Sequence, residues 1–530
     1  MPTLEWIGKD KVINHHQEVP FRVLERRYSY DEAGQHDADN GSENMIIRGD
    51  NLEALKALLP RYEGRVKCIY IDPPYNTGNE GWVYNDNVND PRIKKWLGEV
   101  VGKEGEDLTR HDKWLCMMYP RLKLLQRLLA EDGVIFISID DNAQTLLRMI
   151  CDEIFGARNF LAQMVWQKRT SPDARRKVST GHEYICAYFK NIYMADNSIN
   201  LLSFSEEDKR KYKNPDNDPR GPWVSTDCTA QAGHGTKDQF YKMVTPSGRI
   251  IELPDSLCWR FTKTRMDEEI AAGRIWFGTD GKGVPRKKTY LSERDGRNIW
   301  TWWPNTEVGH TQEATKEITA IFGKTATFDY PKPVRLIQRI IQIATAKDSI
   351  ILDSFAGSGT TAHAVLNMNK ADGGHRRFIL VEMMDYADSI TAERVKRVIQ
   401  GYGEGKKAVE GTGGSFSFYD LGEPLLIGEC LNESVGTEKI REYIWFMETK
   451  APYAPAAGEN PYYLGTCNDT GYYFYYEPEQ VTVLDYQFLS TVTEKSGNTV
   501  IYADRCSIGA DKLAQMGIVF KKIPRDISRL

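Results

Sequence analysis

The sequence predicts an α/β protein built on a largely parallel sheet, with helices on both faces and a second domain inserted into it. Three observations carry this prediction. Short apolar runs alternate with amphipathic helical patterns up to about residue 195, and the same alternation returns after about residue 324. Between these blocks the periodicity weakens, and Gly, Pro, Asp and Lys accumulate around interleaved aromatic residues. Residues 196–323 are therefore predicted to form an inserted domain.

The composition and the cysteine spacing limit which class of protein this can be. The chain has 530 residues, 41% of them hydrophobic and 27% charged, which is ordinary for a globular protein. No run approaches the roughly 18 apolar residues of a membrane span, and the first residues lack the apolar core of a secretion signal. The nine cysteines form no Cys-x-x-Cys pair and no Cys/His cluster at metal-binding spacing. We therefore expect a cytoplasmic protein with no disulfide framework and no metal site.

Charge is unevenly distributed along the chain. The net charge is −5, yet residues 161–330 carry 26 Lys and Arg against 22 Asp and Glu. A locally basic middle within an acidic protein fits a DNA-contacting insert, and a solvated face explains it almost as well.

The first block predicts an N-terminal arm, residues 1–40, followed by the first half of an α/β domain, residues 41–195. A strand or short helix near residues 21–27 belongs to the arm. The rest of the block gives these elements in order: a strand over 45–47, a helix over 52–59, a strand over 68–71, a loop over 76–89, a helix over 114–129, a strand over 134–139, a helix from the Asp140-Asp141-Asn142 cap to 154, and a strand over 182–189.

The second block predicts the other half of that domain, residues 324–410, and a Tyr-rich C-terminal domain, residues 411–530. Its elements are a helix over 334–345, a strand over 349–353, a Gly-rich turn over 354–361, a helix over 362–369, a strand over 377–382 and a helix over 389–400. Residues 401–414 read as a linker, and several short strands follow.

The strand over 68–71 ends in Asp72-Pro73-Pro74-Tyr75. The two prolines fix φ and remove two backbone donors, so a carboxylate and a carbonyl face outward without competing N–H groups. Such a loop suits an exocyclic amine on a flat base, with the amine bonded to Asp72 and the Pro73 carbonyl and the base stacked on Tyr75. Taken alone, the tetrapeptide fits an ordinary strand exit equally well.

A second motif, Gly357-Ser358-Gly359, lies between a predicted strand and a predicted helix. Its glycines let the backbone turn tightly and approach a ligand, and Glu382 ends the next strand, where ribose hydroxyls would donate to it. The third glycine of a dinucleotide fingerprint and the Gly-Lys-Thr of a P-loop are both missing. An adenosyl ligand without phosphate therefore fits better, although such a turn can also serve only to tighten a strand–helix connection.

In this order, and with an insert between them, the two motifs resemble the β-class amino-methyltransferases of DNA, which use S-adenosylmethionine. The resemblance is greatest to the Mod subunit of type III restriction–modification systems. It covers residues 6–9, 49–52, 70–78, 84–86, 120–122, 134–141, 182–184, 330–333, 353–361 and 517–527. It implies a Rossmann-like methyltransferase sheet with circularly permuted motif order, a target-recognition insert and a small C-terminal α/β domain.

The resemblance also implies roles for individual residues. Asp72, Pro73, Pro74 and Tyr75 would act on the N6 amine of an adenine flipped out of double-stranded DNA. The implied cofactor-binding residues are Asp50, Asn51, Asp72, Lys332, Pro333, Asp353, Phe355, Gly357, Gly359, Thr360 and Glu382. The implied partners are a second copy of the chain and a separate restriction subunit with helicase and nuclease activity.

Two basic stretches are predicted to contact DNA phosphates. One contains Lys168, Arg169, Arg175 and Arg176; the other contains Lys282, Arg286, Lys287 and Lys288. The second reads Gly-x-Gly-x-Pro-Arg-Lys-Lys, which predicts a mobile basic loop suited to phosphates, although a solvated loop has the same composition.

Several other functions remain open from the sequence. A cytosine-N4 methyltransferase is the nearest, since the aspartate of the catalytic motif favours adenine only by resemblance. A catalytically idle DNA-recognition subunit and a methyltransferase for RNA or protein glutamine are further alternatives. The incomplete glycine pattern disfavours a nicotinamide oxidoreductase, and the absence of any Pro-Cys dipeptide disfavours cytosine-C5 chemistry.

Overall fold

The computed structural model describes residues 3–76, 95, 99, 110–323, 328, 330–451, 453–454, 460–494 and 496–525. Most of the predicted loop 76–89, and the resembling segment 84–86 within it, lies outside the described residues. The chain divides into two compact units, one made of Met1–Asn200 and Trp300–Leu530 and the other of Leu201–Ile299. The compact insert is therefore narrower than the predicted domain 196–323.

The described residues before the insert form the first strands of the larger unit. These are β1 Arg22–Asp31, β2 Gly34–His36, β3 Met45–Arg48, β4 Val66–Ile71, β5 Leu129–Ile139, β6 Phe160–Gln167 and β7 His182–Phe189. The accompanying α-helices are Lys9–Val12, His15–Glu18, Asn51–Tyr62, Arg110–Leu128, Gln144–Cys151 and Ala195–Ser198. The predicted helix to residue 154 ends instead in a π-helical turn, Asp152–Gly156.

The inserted unit is built mainly of short strands. Its strands are β8 Trp223–Asp227, β9 Thr229–Gln231, β10 Met243–Val244, β11 Ile250–Ile251, β12 Leu257–Trp259, β13 Ile275–Trp276 and β14 Arg286–Tyr290, and its α-helices are Glu206–Lys211 and Lys263–Ala271. Trp259 and Met266 lie at the centre of its own core. The two ends of the unit are bonded to each other, since Leu202 and Arg297 exchange both backbone hydrogen bonds, at 3.0 and 2.8 Å.

After the insert the larger unit resumes. Its strands are β15 Trp302–Trp303, β16 Ile350–Asp353, β17 Arg377–Glu382, β18 Gly401–Tyr402, β19 Val409–Glu410, β20 Phe416–Pro424, β21 Leu426–Ile427, β22 Cys430–Leu431, β23 Tyr463–Cys467, β24 Thr470–Phe474, β25 Val483–Leu484, β26 Asn498–Ala503, β27 Arg505–Cys506 and β28 Ile518–Lys522. Its α-helices are Asn305–Val308, Thr311–Phe322, Val334–Ala344, Thr360–Asp372, Glu393–Gln400, Thr437–Thr449, Tyr486–Leu489 and Ala510–Gln515.

The larger unit is organised on one long mixed sheet. Its strand order is β15-β6-β7-β5-β4-β16-β17-β3-β20-β1-β2. The run from β5 to β20 is parallel throughout, and β7 and β1 join its two ends in antiparallel register. The predicted parallel α/β sheet is thereby confirmed, while the arm and the start of the C-terminal region, through β1 and β20, form part of the sheet.

Helices cover both faces of this sheet. Ile47, Ile69 and Ile137 join one core together with the helices Asn51–Tyr62 and Arg110–Leu128. Strand residues of the opposite parity are equally buried on the other face, where the helices Val334–Ala344 and Thr360–Asp372 pack together. The remaining C-terminal strands form smaller sheets, the largest with the order β23-β24-β26-β28. Among the described helices, none combines the length and apolarity that crossing a bilayer requires.

Candidate active site

The candidate site lies where the parallel strands end. Asp72 follows β4, Asp353 ends β16, Glu382 ends β17, and Asp50 comes two residues after β3. These strands are consecutive in the sheet, and the direction of chain progression reverses between β4 and β16. Ligands bind at such a reversal point, outside the carboxyl ends of the strands. The two motifs from the sequence therefore meet here.

The Asp-Pro-Pro-Tyr loop is held rigidly at this edge. The Trp114 indole donates to the Pro74 carbonyl at 2.7 Å, and the Tyr75 hydroxyl donates to Asp72 Oδ1 at 2.7 Å. Within the described part of the chain, the Pro73 carbonyl receives no hydrogen bond. The pairing of Asp72 with the Pro73 carbonyl as acceptors for an amine remains a prediction. Tyr75 is only 3% exposed, so its ring forms part of the buried site.

Two lysines and a second carboxylate surround Asp72. Lys332 Nζ donates to Asp72 Oδ2 at 2.6 Å and lies 3.7 Å from Glu183 Oε2. Glu183 accepts from the Tyr75 hydroxyl at 3.1 Å and from Lys168 at 2.8 Å. The ammonium of Lys332 also lies 5.1 Å from the Tyr75 ring centroid. Two anions and two cations therefore share one buried cluster.

Burial acts on each member of this cluster differently. It raises the pKa of Asp72 above its ordinary value even beside Lys332, and the charge of Glu183 raises that pKa further. Burial also favours a high pKa for Glu183, but Lys332 and Lys168 outweigh it and hold that pKa below its ordinary value. For Lys332, burial is outweighed by Asp72 and Glu183, so its pKa is raised. The pKa of Asp72 is thus raised, whereas the pKa of Glu183 is lowered.

Two cavities open on either side of Asp72. The larger, about 460 Å³, is lined by residues that include Tyr75, Asp140, Trp166, Lys168, Glu183 and Lys332. The smaller is lined by Asn51, Asp72, Pro74, Met117, Arg121, Ser354, Phe355, Glu382, Met383 and Met384. Asp72 lies in the wall of the smaller cavity, and its partners Tyr75 and Lys332 lie in the wall of the larger one. A group bonded to Asp72 could therefore face both.

The glycine-rich turn contributes Ser354 and Phe355 to the lining of the smaller cavity. The Gly357 amide donates to Glu382 at 2.8 Å, and the Thr391 hydroxyl donates to the Gly357 carbonyl at 2.6 Å. Gly359 has φ of +80°, and a Cβ atom there would lie 3.0 Å from the Thr391 carbonyl oxygen. Only glycine fits this close approach in a left-handed conformation without strain.

Asp50, Asn51 and Asp353 are held by hydrogen bonds within the walls. Asp50 caps the helix Asn51–Tyr62 by accepting from two backbone amides, and Arg121 lies 3.2 Å from its other oxygen. Arg121 also donates to Asn51. Asp353 accepts from the Phe355 amide and the Thr361 hydroxyl, and its burial raises its pKa to about 7.

The predicted cofactor residues divide into three groups. Asn51, Asp72, Phe355 and Glu382 line the smaller cavity, while Asp50, Asp353, Gly357, Gly359 and Thr360 build or brace its walls. Lys332 lies elsewhere, because its ammonium is drawn to Asp72 and lines the larger cavity. Pro333 precedes the helix Val334–Ala344 as its N-terminal cap residue. Cofactor binding by these residues remains a prediction.

The predicted DNA-contacting residues are placed unevenly. Lys168, Arg169 and Arg175 line the larger cavity, although Arg175, whose side chain is 89% exposed, is paired with Asp173. Arg176 and Lys282 are exposed. Arg286 and Lys287 lie in a strand, where they pair with Asp227 and Glu269 respectively.

The prediction of a mobile basic loop ending at Lys288 is wrong. Residues 286–290 form β14, and Lys288 is buried, where its ammonium pairs with Asp216 and Asp218. Alternation along the strand places Lys288 on the opposite face of β14 from Lys287. Lys288 therefore serves the stability of the inserted unit.

Sequence reasoning assigned no role to some residues that the structure brings into the site. Glu183 and Arg121 fall in the resembling segments 182–184 and 120–122, but nothing in those segments indicates what they contact. Trp166 and Trp114 were also without a role, and both now border the catalytic loop or its cavity. The available signal for Glu183 is a carboxylate residue near the start of an otherwise largely buried strand.

Comparison with known proteins adds an independent line of evidence. Residues 66–448 match the model of a family described as DNA methylase. The type III restriction-modification enzyme StyLTI Mod subunit of Salmonella typhimurium is 34% identical over 421 residues, which cover 74% of this chain and 62% of that protein. The type II methyltransferase M.KpnI of Klebsiella pneumoniae is 32% identical over 362 residues, which cover 65% of this chain and 81% of that protein.

Other relatives follow the same pattern. The EcoP15I Mod subunit of Escherichia coli is 29% identical over 445 residues, which cover 76% of this chain and 66% of that protein. The chain thus spans about two thirds or less of the length of these Mod subunits. A DNA modification methylase from Thermus thermophilus, solved with S-adenosyl-L-methionine, aligns at 15% identity over 71% of this chain and 99% of that one, with a TM-score of 0.32. A structural score this low adds nothing to the assignment.

Proposed function

The chain belongs to the DNA methylase family, and from that premise we propose that it is a site-specific DNA methyltransferase acting on the N6 amine of adenine. Its methyl donor would be S-adenosylmethionine. The observation that carries the proposal is the position of Asp72, which lines one cavity while its hydrogen-bond partners line another. A transfer between two bound molecules needs the reacting atoms brought together at one such point.

The smaller cavity fits the chemistry of an adenosyl methyl donor. Phe355, Met117 and Met383 give apolar walls for a flat ring, and Glu382 gives a carboxylate for ribose hydroxyls. Glu382 already accepts from two backbone amides, yet each carboxylate oxygen can accept a second hydrogen bond. The glycine turn at Gly359 leaves no room for a side chain beside it. When bound, S-adenosylmethionine supplies an electrophilic methyl group on a sulfonium ion.

The larger cavity fits the target base. Its floor contains Tyr75 and Trp166, and stacking a base on an aromatic ring is worth about 1–3 kcal/mol, which offsets much of the cost of extruding it. Lys168, Arg169 and Arg175 add positive charge at the same cavity, where a DNA backbone would have to pass. Exposed Arg176 and Lys282 are further proposed phosphate contacts.

The protein's part in the reaction falls to Asp72 and Pro73. Their oxygens would accept the two amine hydrogens and draw the nitrogen toward a geometry in which its lone pair is exposed. These hydrogen bonds strengthen as positive charge develops on nitrogen, so they stabilise the transition state more than the bound substrate. Asp72, with its raised pKa, is suited to take the proton that leaves the amine.

The role of the chain in a larger restriction-modification enzyme is proposed from its relatives alone. Several similar proteins are Mod subunits of type III restriction-modification enzymes, which supports a role as the modification subunit of such a system. A separate restriction subunit with helicase and nuclease activity, a homodimer and a cytoplasmic location are proposals that rest on the resemblance and on composition.

Base-modification sequencing tests the function directly. DNA from cells that express the protein is compared with DNA from cells that express Asp72→Ala. We expect N6-methyladenine on one strand of a short defined motif, absent with the variant. N4-methylcytosine in its place would retain the mechanism and change the base. The absence of any new mark, together with no transfer to DNA by the purified protein, would overturn the proposal.

A further inference from the structure

Each carboxylate oxygen of Asp72 already accepts one hydrogen bond. Lys332 Nζ donates to Oδ2 at 2.6 Å, and the Tyr75 hydroxyl donates to Oδ1 at 2.7 Å. An amine hydrogen that takes a lone pair already used by Tyr75 or Lys332 displaces that donor, and one that takes a free lone pair weakens both bonds, because three donors then share one carboxylate charge. A donor left without a partner in a buried site costs about 1–3 kcal/mol, and more if it is charged. A second acceptor close to both donors would hold a donor that Asp72 binds more weakly or releases.

Glu183 is placed to be that acceptor. Its Oε2 lies 3.1 Å from the Tyr75 hydroxyl and 3.7 Å from Lys332 Nζ, so one oxygen is within reach of both donors. Its other oxygen is held by Lys168 at 2.8 Å, and the residue lies in β7, a strand within the main sheet. The Glu183 side chain is only 9% exposed, so water competes little for it.

The Tyr75 hydroxyl lies within hydrogen-bond distance of both Asp72 and Glu183. It has a single hydrogen, which it can donate fully to one acceptor at a time. The distances of 2.7 Å to Asp72 and 3.1 Å to Glu183 show which one is favoured without a substrate. A small rotation of the C–O–H group redirects the hydrogen without moving the ring.

We propose that Glu183 is a positioning residue that takes over the Tyr75 hydroxyl and the Lys332 ammonium from Asp72 when the target amine binds. This rests on the proposed methyl transfer to DNA and deepens it, since it names the group that frees the catalytic carboxylate. Glu183 suits this role because Lys332 and Lys168 keep its pKa low, so it remains an anion and an acceptor. A purely structural Glu183 would need only its bond to Lys168.

The charges that face Asp72 set the expected pH dependence. The charged or titratable groups are Lys332, Glu183 and Asp353, with Lys168 acting through Glu183. Tyr75 and Tyr70 also face Asp72, but burial raises their pKa values and keeps their hydroxyls neutral. Glu183 raises the pKa of Asp72, so its neutralisation should lower that pKa. The acid limb of the pH profile of kcat/KM, which follows ionisation of Asp72, should then move to lower pH.

The experiment compares full-length wild type with Glu183→Gln, Tyr75→Phe and the double variant, using tritiated S-adenosylmethionine and DNA. We expect Glu183→Gln to lower kcat/KM for DNA by about tenfold or more, with S-adenosylmethionine affinity unchanged. In the Tyr75→Phe background the same substitution should cost several-fold less, because no hydroxyl remains to be accommodated. In Glu183→Gln the acid limb of the pH profile of kcat/KM should move to lower pH.

Glu153→Gln is a matched control, since Glu153 also accepts from a tyrosine and a lysine, Tyr119 and Lys9, and lines neither cavity. It should retain wild-type kcat/KM. The inference is overturned if kcat/KM of Glu183→Gln stays within twofold of wild type. It is also overturned if Glu183→Gln lowers kcat/KM by the same factor with and without Tyr75→Phe and the acid limb of the pH profile does not move. An inactive wild type would instead overturn the proposed function, and this inference with it.

Discussion

At the scale of single residues, the site depends on which carboxylate meets the amine. Asp72 and Glu183 share two donors, yet their surroundings move their pKa values in opposite directions. Asp72 lines the smaller cavity, and Glu183 lines only the larger one. This separation gives each carboxylate one task, in the way that paired carboxylates in active sites are commonly divided.

Asp72→Asn tests the catalytic task. The amide is isosteric but places an N–H₂ group where an acceptor is needed, so the bonds that strengthen in the transition state are lost. We expect kcat to fall by about 10²–10³-fold or more, since the loss of one such group typically has this effect. S-adenosylmethionine affinity, measured by calorimetry, should stay within a few-fold.

Asp152→Asn provides the matched control for that substitution. Asp152 likewise accepts from a tyrosine hydroxyl, that of Tyr188 at 2.7 Å, and from a cation, Arg148 at 3.1 Å. It lines neither cavity. Equal losses of kcat in the two variants would show that Asp72 acts through folding alone.

The raised pKa of Asp353 should make the free energy of unfolding depend on pH. Burial raises its pKa from 3.8 to about 7, so between these values the folded protein holds a proton that the unfolded chain has released. The stability that this group contributes is therefore full below about pH 4 and is lost as pH rises to about 7. The loss is on the order of a few kcal/mol.

Asp353→Asn should remove this dependence, since its oxygen can still accept from the Phe355 amide and the Thr361 hydroxyl can rotate. Unfolding followed in urea at pH 5, 6.5 and 8 checks it. The variant should gain stability relative to wild type as pH rises. Parallel curves for the two proteins would contradict the assignment.

At the scale of elements, the parallel strands were the easiest part to predict. The runs 68–71 and 378–381 are buried on both faces, so they are continuously apolar, and they lie within β4 and β17. Strand β6 was missed because it mixes polar and apolar residues and is only half-buried. A strand of this kind leaves little periodic signal.

The contacts within the site were harder to predict than its elements. Asp72 and the glycine turn carry local signatures, because a rigid loop and a tight turn each need particular residues in sequence. The Asp72–Lys332 bond joins residues 260 positions apart, and the Tyr75–Glu183 bond spans 108. No local pattern records such a pairing, so only the assembled sheet shows it.

The glycine turn supports a prediction at this scale. Gly359→Ala places a Cβ atom 3.0 Å from the Thr391 carbonyl oxygen at φ of +80°. Thr391 also holds the Gly357 carbonyl at 2.6 Å, so displacing it shifts the turn. We expect S-adenosylmethionine affinity to fall by about tenfold or more, a loss of about 1.4 kcal/mol in binding free energy.

Gly373→Ala is the matched control at the other end of the same helix. Gly373 is also left-handed, at φ of +65°, but nothing lies within 4 Å of an added Cβ atom. Its cost should be about 1–2 kcal/mol of stability with cofactor affinity unchanged. If Gly359→Ala binds S-adenosylmethionine as tightly as Gly373→Ala does, the turn is not part of the cofactor site.

At the scale of the whole molecule, the sequence of one compact unit is interrupted by the sequence of another. The sequence predicts an insert over residues 196–323, and the compact unit spans residues 201–299. Residues 300–323 belong to the larger unit because β15 pairs with β6 and extends the main sheet. Two tryptophans in a two-residue strand carry no signal that distinguishes them from the aromatic residues of the insert.

The inserted unit should fold in isolation. Residues 201–299 have their own core around Trp259 and Met266, and the hydrogen bonds between Leu202 and Arg297 bring the two ends of the segment together. A segment of this length with closed ends and an internal core meets the usual requirements of a domain. Expressed alone, it should show buried-tryptophan fluorescence and a cooperative thermal transition.

Two lysine variants of that fragment separate a folded domain from a collapsed chain. Lys288→Met leaves Asp216 and Asp218 without their shared buried cation, and breaking such a pair costs about 3–5 kcal/mol. Lys282→Met removes an exposed lysine of the adjoining segment and should cost less than about 0.5 kcal/mol. We expect the first to lower the transition temperature by many degrees and the second to leave it unchanged. Equal transitions, or none in the unaltered fragment, would show that the unit is not autonomous.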